Sequence, residues 1–93
     1  MKRIFLILFI SNLFLNNLYA MSESYQKKFY NGCYPESIHY LGSIKANEYC
    51  SCTIKKLSKK YSDEDIDKIS RQSEEIQVES FSFASDFCAK LVD

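Results

Sequence analysis

The sequence predicts an all-α protein, a small bundle of three to four helices cross-linked by two disulfides. Apolar residues recur at spacings of three and four over most of residues 21–93, as they do on one face of a helix. Two Gly and one Pro in 93 residues disfavour a turn-rich all-β fold. The chain contains four Cys, which is many for its length, and an even number of Cys is typical of a disulfide framework.

Residues 1–20 are expected to be a secretory signal peptide. Lys2 and Arg3 form a positive start, an apolar run follows, and the segment ends on the small residue Ala20. The apolar run is shorter than the roughly 20 residues that span a bilayer. We therefore expect cleavage after Ala20, which leaves a single domain over residues 21–93 with no membrane span. The abundance of Lys, Ile, Asn, Phe, Tyr and Ser hints at an AT-rich bacterial genome, which favours the periplasm over full export.

The first helix of this domain is predicted to begin near Ser22. Asn31-Gly32 is a helix stop signal, and Pro35 disfavours a helical residue before it. Cys33 is therefore expected at the very end of this helix or in the turn after it. Three residues spaced four apart would share one face: Tyr25, Phe29 and Cys33.

A second helix is predicted to end at Tyr61 and to begin at Ser37 or Ser43, because Gly42 leaves its start open. At about 100° per residue, its apolar residues fall on two nearly opposite faces. One face carries Leu41, Ile44 and Cys52; the other carries Cys50, Ile54, Leu57 and Tyr61. Two apolar faces indicate the middle element of a bundle.

A third helix is predicted to start at Ser62, with Asp65 in the third position of a capping box. Apolar spacing continues past Ser73, but Gln77–Phe83 alternates weakly like a strand. One long bent helix and two helices broken near residues 77–80 both remain open. The last predicted apolar face consists of Phe81, Ala84, Cys88, Leu91 and Val92.

The four cysteines are expected to form two structural disulfides. A Cys50–Cys52 bond would close a strained small ring, and on a helix the two side chains diverge by about 200°. Cys50 and Cys52 should therefore each bridge a different distant cysteine. Two pairings remain open: 33–50 together with 52–88, or 33–52 together with 50–88. In the chain-entropy model, loops of these lengths stabilise a small domain by about 3 and about 4 kcal/mol.

Other sequence features argue against several function classes. Twelve basic and twelve acidic residues give no basic excess for nucleic-acid binding. The only His, His39, supports no catalytic constellation, so we expect no enzyme and no cofactor. The alternative is a metal- or redox-handling protein that uses Cys50 and Cys52, but neither a second close Cys pair nor a C-x-x-C motif is present.

Two side-chain clusters have both a functional and a structural interpretation. The four lysines of IKKLSKK suit an anionic lipid, nucleic acid or acidic partner, but they also suit the end of a helix, where the macrodipole favours positive charge. These are Lys55, Lys56, Lys59 and Lys60. The tyrosines crowd into the first half of the domain, as at a protein interface or at the edge of a small core.

The proposed signal peptide is followed by three features in order. They are a Cys, a Tyr-Cys-x-Cys element on a Lys-rich helix, and a Lys-Tyr-Ser-acidic sequence at the end of that helix. In this chain they are Cys33, Tyr49-Cys50-Ser51-Cys52 and Lys60-Tyr61-Ser62-Asp63. Over about half of the domain, the chain thereby resembles a group of small secreted bacterial proteins of unknown function. The resemblance implies a secreted, disulfide-linked helical domain. We expect a non-enzymatic binding or interaction protein, such as an inhibitor, an immunity-type protein or an assembly accessory, with a protein partner.

Overall fold

The computed structural model describes residues 20–93, which form three helices and, within that range, no strand. Helix α1 spans Glu23–Lys60, α2 spans Asp63–Ser70 and α3 spans Glu74–Val92. Two disulfides cross-link them, so the predicted small all-α bundle is confirmed. The proposed signal peptide lies outside the described residues except for Ala20. In the described range, no helix is both long and apolar enough to cross a membrane.

Helix α1 is a hairpin with two arms, residues 23–41 and residues 43–60. Gly42 separates them with φ 79° and ψ 170°, a backbone conformation that is essentially restricted to glycine. The arms run antiparallel: the Ala20 N–H donates to the Ser58 carbonyl at 2.7 Å, and the Cα atoms of Cys33 and Cys50 are 5.9 Å apart. Gly42 therefore makes the turn that brings the two arms together.

The predicted stop at Asn31-Gly32 is wrong, because α1 continues through both residues and through Pro35 up to Gly42. A proline inside a helix costs about 3 kcal/mol, since it removes one backbone hydrogen bond and crowds the preceding turn. Pro35 is exposed, so water can satisfy the carbonyl that has lost its donor. The Cys33–Cys50 disulfide holds the adjacent turn against the second arm and offsets this cost.

Of the two predicted starts for the second helix, Ser43 agrees with the structure and Ser37 does not. Ser43 follows Gly42 at the beginning of the second arm. Ser37 lies inside the first arm, where its Oγ is 3.6 Å from the Sγ of both Cys33 and Cys50. Its hydroxyl thus contacts the disulfide instead of capping a helix.

The predicted capping box at Ser62 is confirmed. The Asp65 N–H donates to Ser62 Oγ at 3.2 Å, and the Ser62 N–H donates to Asp65 Oδ2 at 3.0 Å. Helix α2 ends at Ser70, and Ser73 caps α3 by accepting a hydrogen bond from the Ile76 N–H. The break between the last two helices therefore precedes residue 77, and the ambiguous segment from residue 77 to residue 83 is helical.

The core lies where the second arm of α1 meets α2 and α3. Its buried members are Met21, Leu57, Ile66 and Ala84, with Tyr25, Phe29, Tyr61 and Phe81 packed around them. The rings of Phe29 and Phe81 meet edge to face at 5.6 Å, which ties the first arm of α1 to α3. Tyr61 contributes its ring, while its hydroxyl donates to the Ser80 carbonyl at 3.0 Å.

Two residues of the predicted apolar faces are exposed instead. The side chain of Ile44 is 76% exposed and that of Leu91 is 66% exposed. Ile44 is the second residue after Gly42, in the first turn of the second arm, and its side chain points to solvent there. Leu91 lies almost one turn beyond Cys88, the residue that ties α3 to α1. For Leu91 the contact with α1 does not stop short, because Ala89 and Val92 line a pocket with Leu41. Helical periodicity gives the direction of a side chain, but it does not show how much of the helix circumference a neighbour covers.

Candidate functional site

The four cysteines are paired as Cys33–Cys50 and Cys52–Cys88, with no free cysteine among residues 20–93. Cys50 and Cys52 bridge different neighbours, as expected, and the structure selects one of the two pairings left open. Cys50 shares a buried face with Ile54 and Leu57, whereas Cys52 points to α3. The C-x-C pair thus joins the second arm to the elements on either side of it.

The remaining titratable residues do not assemble into a metal site in the part of the chain that the structure describes. No group of three or more His, Cys, Asp or Glu side chains surrounds a common point there. His39 is exposed beside Pro35, Glu36 and Tyr40, near the tip of the hairpin. That position gives His39 no buried partner with which to act.

A groove between the first arm of α1 and helix α2 is the strongest candidate site. It has a volume of about 530 Å³. Its lining residues are Tyr25, Lys28, Phe29, Gly32, Cys33, Ile66, Asp67 and Ser70. Ligand sites in proteins are typically clefts of about 300–1,000 Å³ with an apolar lining and a few polar groups. This groove fits that description, because aromatic and aliphatic carbon forms its floor and polar groups stand at its edge.

One hydrogen bond and one cation–π contact organise the polar edge. The Tyr25 hydroxyl donates to Asp67 Oδ1 at 2.7 Å, and this bond to a carboxylate raises the pKa of the Tyr25 phenol. The Lys28 ammonium lies 5.0 Å from the centroid of the Tyr25 ring. A carboxylate and an ammonium group thus flank the same aromatic ring, which gives the groove one anionic and one cationic edge.

Local sequence explains how each wall presents these groups. Tyr25, Phe29 and Cys33 follow one another every fourth residue, so they form one row on the first arm, as predicted. Gly32 adds no side chain beside that row, and a Cβ placed there would meet no atom within 4 Å. The groove remains open at this point because of the glycine.

Sequence reasoning missed half of this site. Gly32 has the sequence pattern of a helix stop, and no local pattern assigns Asp67 or Ser70 to a site. The spacing of Ile66 and Ser70 by four residues places them on one face of α2. That signal is present in the sequence, but it does not reveal that this face lies opposite the first arm.

The tyrosines divide between the core and the surface. Tyr25 and Tyr61 pack against the core. Tyr30 stacks on Tyr34 with centroids 5.5 Å apart, and its hydroxyl donates to Asn47 Oδ1 at 2.8 Å, which joins the two arms. Tyr40, near the hairpin tip, is 88% exposed. The tyrosines described here therefore have separate environments, in the core, within the first arm and near the hairpin tip, and do not form one continuous interface.

The lysine cluster lies in the last turns of the second arm of α1, as predicted from the sequence. Lys59 and Lys60 occupy its final turn, where positive charge is favoured. Lys56 and Lys60 also lie over aromatic rings of α3. The cluster thus faces a second surface, on the side of the molecule formed by the second arm and α3.

Comparison with protein-family models, curated proteins and solved structures finds no match to this chain. The groove and the lysine cluster are accordingly interpreted from their own chemistry.

Proposed function

We propose that this protein is a small non-enzymatic binding protein of the periplasm or the secreted fraction, and that it holds an apolar side chain or short apolar segment of a partner protein in the groove between α1 and α2. The observation that carries the proposal is the open apolar groove with the hydrogen-bonded Tyr25–Asp67 pair at its edge. An apolar floor supplies affinity, and the charged edges supply orientation. The resemblance to small secreted proteins is in keeping with this proposal.

Both walls of the groove are held in place before a partner arrives. Cys33 lines the groove and is bonded to Cys50, so a disulfide anchors one wall. The other wall is attached by two bonds to the first arm: Tyr25 to Asp67, and the Ser22 N–H to Asp63 Oδ1 at 2.8 Å. A site that is already ordered costs less entropy on binding, which favours recognition by a small protein.

Secretion is supported by the disulfides, and the position of Met21 is compatible with cleavage after Ala20. Two disulfides are consistent with an oxidising compartment. Met21 is 3% exposed and belongs to the core, so cleavage after Ala20 leaves every core residue in the mature chain. We expect the exported protein to begin at Met21, which intact mass spectrometry checks. A chain that retains Met1 contradicts this part of the proposal.

The metal- or redox-handling alternative receives less support from the cysteines. Thiolates are the ligands that a C-x-C metal site needs, and both Cys50 and Cys52 are engaged in disulfides. Cys50 and Cys88, one in each bridge, are fully buried. Burial restricts attack at these two sulfurs, so an exchanging thiolate would have to approach the half-buried Cys33 or Cys52. The binding function therefore remains the proposal.

Photo-cross-linking in the cell tests whether the groove is the binding site. With p-benzoylphenylalanine in place of Lys28, we expect a discrete adduct with a partner protein. Gly32→Leu should abolish that adduct, because the new side chain projects into open groove space without a clash in the backbone. Asn31→Leu is the matched control, since it adds a leucine at an exposed neighbouring position. Equal adduct yields in the two leucine variants contradict the proposal.

A further inference from the structure

An exposed apolar row on α3 is not used by the proposed groove. Phe83, Phe87 and Leu91 are spaced four apart, and their side chains are 40%, 46% and 66% exposed. At 1.5 Å per residue, the row extends about 12 Å along the helix. It lies beside the second arm of α1, and none of its residues lines the groove, so the row is a separate surface.

Lysines of the second arm lie over this row. The Lys56 ammonium is 3.8 Å from the centroid of Phe87, and the Lys60 ammonium is 4.5 Å from that of Phe83. Within residues 20–93, the ion pair with a nitrogen–oxygen distance of 4.0 Å or less is the one between Lys68 and Glu64. It involves neither Lys56 nor Lys60. In the part of the chain that the structure describes, neither ammonium group has a carboxylate oxygen within 4.0 Å. We call Lys56, Lys60, Phe83, Phe87 and Leu91 the lysine–phenylalanine face.

We propose that the lysine–phenylalanine face binds the surface of a bilayer containing anionic phospholipids, with α3 lying along the interface. Phenylalanine and leucine rows bordered by lysines are characteristic of helices that lie in the headgroup region. The apolar side chains enter the boundary of the acyl chains, and the ammonium groups pair with lipid phosphates. This contact is peripheral and requires no spanning helix.

The shape of the face favours a bilayer over an acidic polypeptide. A peptide helix usually binds in a groove between elements, and the groove between α1 and α2 is lined by other residues. Phe83, Phe87 and Leu91 instead stand along one edge of a single helix. Such a convex row fits a flat, deformable surface, because each side chain can enter it independently.

The attraction to lipid is local, which makes it sensitive to salt. Without residues 1–20, the chain has ten basic and twelve acidic residues, so the whole molecule is not drawn to an anionic surface. Glu79 and Asp86 lie on the solvent side of the row by helical phase, and their charges oppose binding. Binding therefore depends on the lysines of the face, within a Debye length of about 10 Å at 0.1 M salt.

Tryptophan fluorescence tests the proposal cleanly, because the chain contains no Trp. Phe87→Trp places a single reporter in the face. Val78→Trp is the matched control: it is 63% exposed on the same helix and lies about two and a half turns from Phe87, on the opposite side. Each variant is expressed from the full chain and purified as exported. Vesicles of phosphatidylglycerol and phosphatidylcholine are compared with vesicles of phosphatidylcholine alone.

We expect the emission of Phe87→Trp to shift to shorter wavelength with phosphatidylglycerol vesicles only, and that of Val78→Trp to remain unchanged. Adding Lys56→Gln and Lys60→Gln should weaken the partition of Phe87→Trp roughly 30-fold, since each lysine near an anionic surface contributes a factor of about five to binding. Lys27→Gln, an exposed lysine of the first arm, should leave it unchanged. Circular dichroism verifies that each variant keeps its helices.

Several results overturn the proposal. They are the absence of a shift with phosphatidylglycerol vesicles at low salt, an equal shift in Val78→Trp, and an equal shift with pure phosphatidylcholine. A shift produced by polyglutamate but not by vesicles assigns the face to an acidic polypeptide instead. None of these results affects the cross-link from residue 28, so failure here and failure of the proposed groove are distinguishable.

Discussion

Leu57 and Leu91 are the same residue type on two helices, yet their side chains are 1% and 66% exposed. Leu57 lies in the core beside Met21, Ile66 and Ala84. Leu91 lies on the edge of α3 that α1 leaves uncovered, although the next residue, Val92, lines a pocket with Leu41 of α1. The contribution of a leucine to stability depends on the apolar surface that it removes from water, so these two residues differ although their helical context is similar.

Leu57→Ala is expected to lower the free energy of unfolding by about 2–5 kcal/mol, because it removes buried methyl groups and leaves a cavity. Leu91→Ala is the matched control, with an expected change of about 0.5 kcal/mol or less. Urea denaturation with the disulfides intact measures both changes. Similar losses in the two variants would contradict the assignment of the core.

At the scale of the elements, the two glycines of α1 have different functions. Gly42 has φ 79° and makes the hairpin turn, whereas Gly32 lies within the helical first arm. Neither position has an atom within 4 Å of an added Cβ. Backbone conformation alone therefore distinguishes them.

Gly42→Ala is expected to destabilise the protein by about 1–3 kcal/mol, because an L-residue is strained in this conformation. Gly32→Ala should stabilise it by about 0.5–1 kcal/mol, since alanine is the better helix former and has room. Thermal unfolding of the two variants provides the comparison. The changes in stability of the two variants are expected to have opposite signs. A loss of stability in both variants would show that the added methyl group itself is destabilising.

The capping box of α2 links stability to pH. Hydrogen bonding to Ser62 holds the pKa of Asp65 below its ordinary value of 3.8. The backbone N–H of Ser62 has the larger effect and its hydroxyl the smaller one. A carboxyl whose pKa is lower in the folded state stabilises the fold above the unfolded pKa, and this stabilisation is lost as the pH falls through the folded pKa.

The free energy of unfolding should fall between about pH 5 and about pH 2, and it should fall less in Asp65→Asn than in the unchanged protein. Ser62→Ala is the comparison variant. It removes the hydroxyl but keeps the backbone N–H donor, so part of the pH dependence should remain. Urea midpoints across this range test both expectations, and an unchanged slope in Asp65→Asn would contradict them.

At the scale of the whole molecule, the two disulfides perform different tasks. Cys33–Cys50 closes the α1 hairpin over a separation of 17 residues, and Cys52–Cys88 ties α3 to that hairpin over 36 residues. The longer loop has more freedom in the unfolded chain, so its closure removes more entropy.

Replacing Cys52 and Cys88 by serine should cost about 4 kcal/mol, and replacing Cys33 and Cys50 about 3 kcal/mol. The two double variants are each other's control, because each removes one bridge and leaves no odd thiol. Chemical denaturation gives the order of stability. Peptide mapping without reduction, with fragmentation in the mass spectrometer between Cys50 and Cys52, must recover the 33–50 and 52–88 pairs, and a fragment that joins 33 to 52 would refute the pairing.

Sequence patterns predicted the parts of the fold and of the site that depend on a few neighbouring residues. Ser62 and Asp65 predicted a helix start, and the spacing of Tyr25, Phe29 and Cys33 predicted a shared helix face, which the structure uses as one wall of the groove. The other wall could not be predicted, because nothing local relates Asp67 to Tyr25 across 42 residues. Gly32 misled the prediction, since it resembles a stop signal but continues the helix.

The sequence by itself determined the all-α class, the capped start of α2 and the divergence of Cys50 from Cys52, since these follow from hydrogen bonding and side-chain direction within a turn or two of helix. Only the tertiary structure decided that α1 continues through Pro35, that Cys33 pairs with Cys50, and that Leu91 stays exposed. Those outcomes depend on which helices meet and where they end, and packing between distant segments sets both.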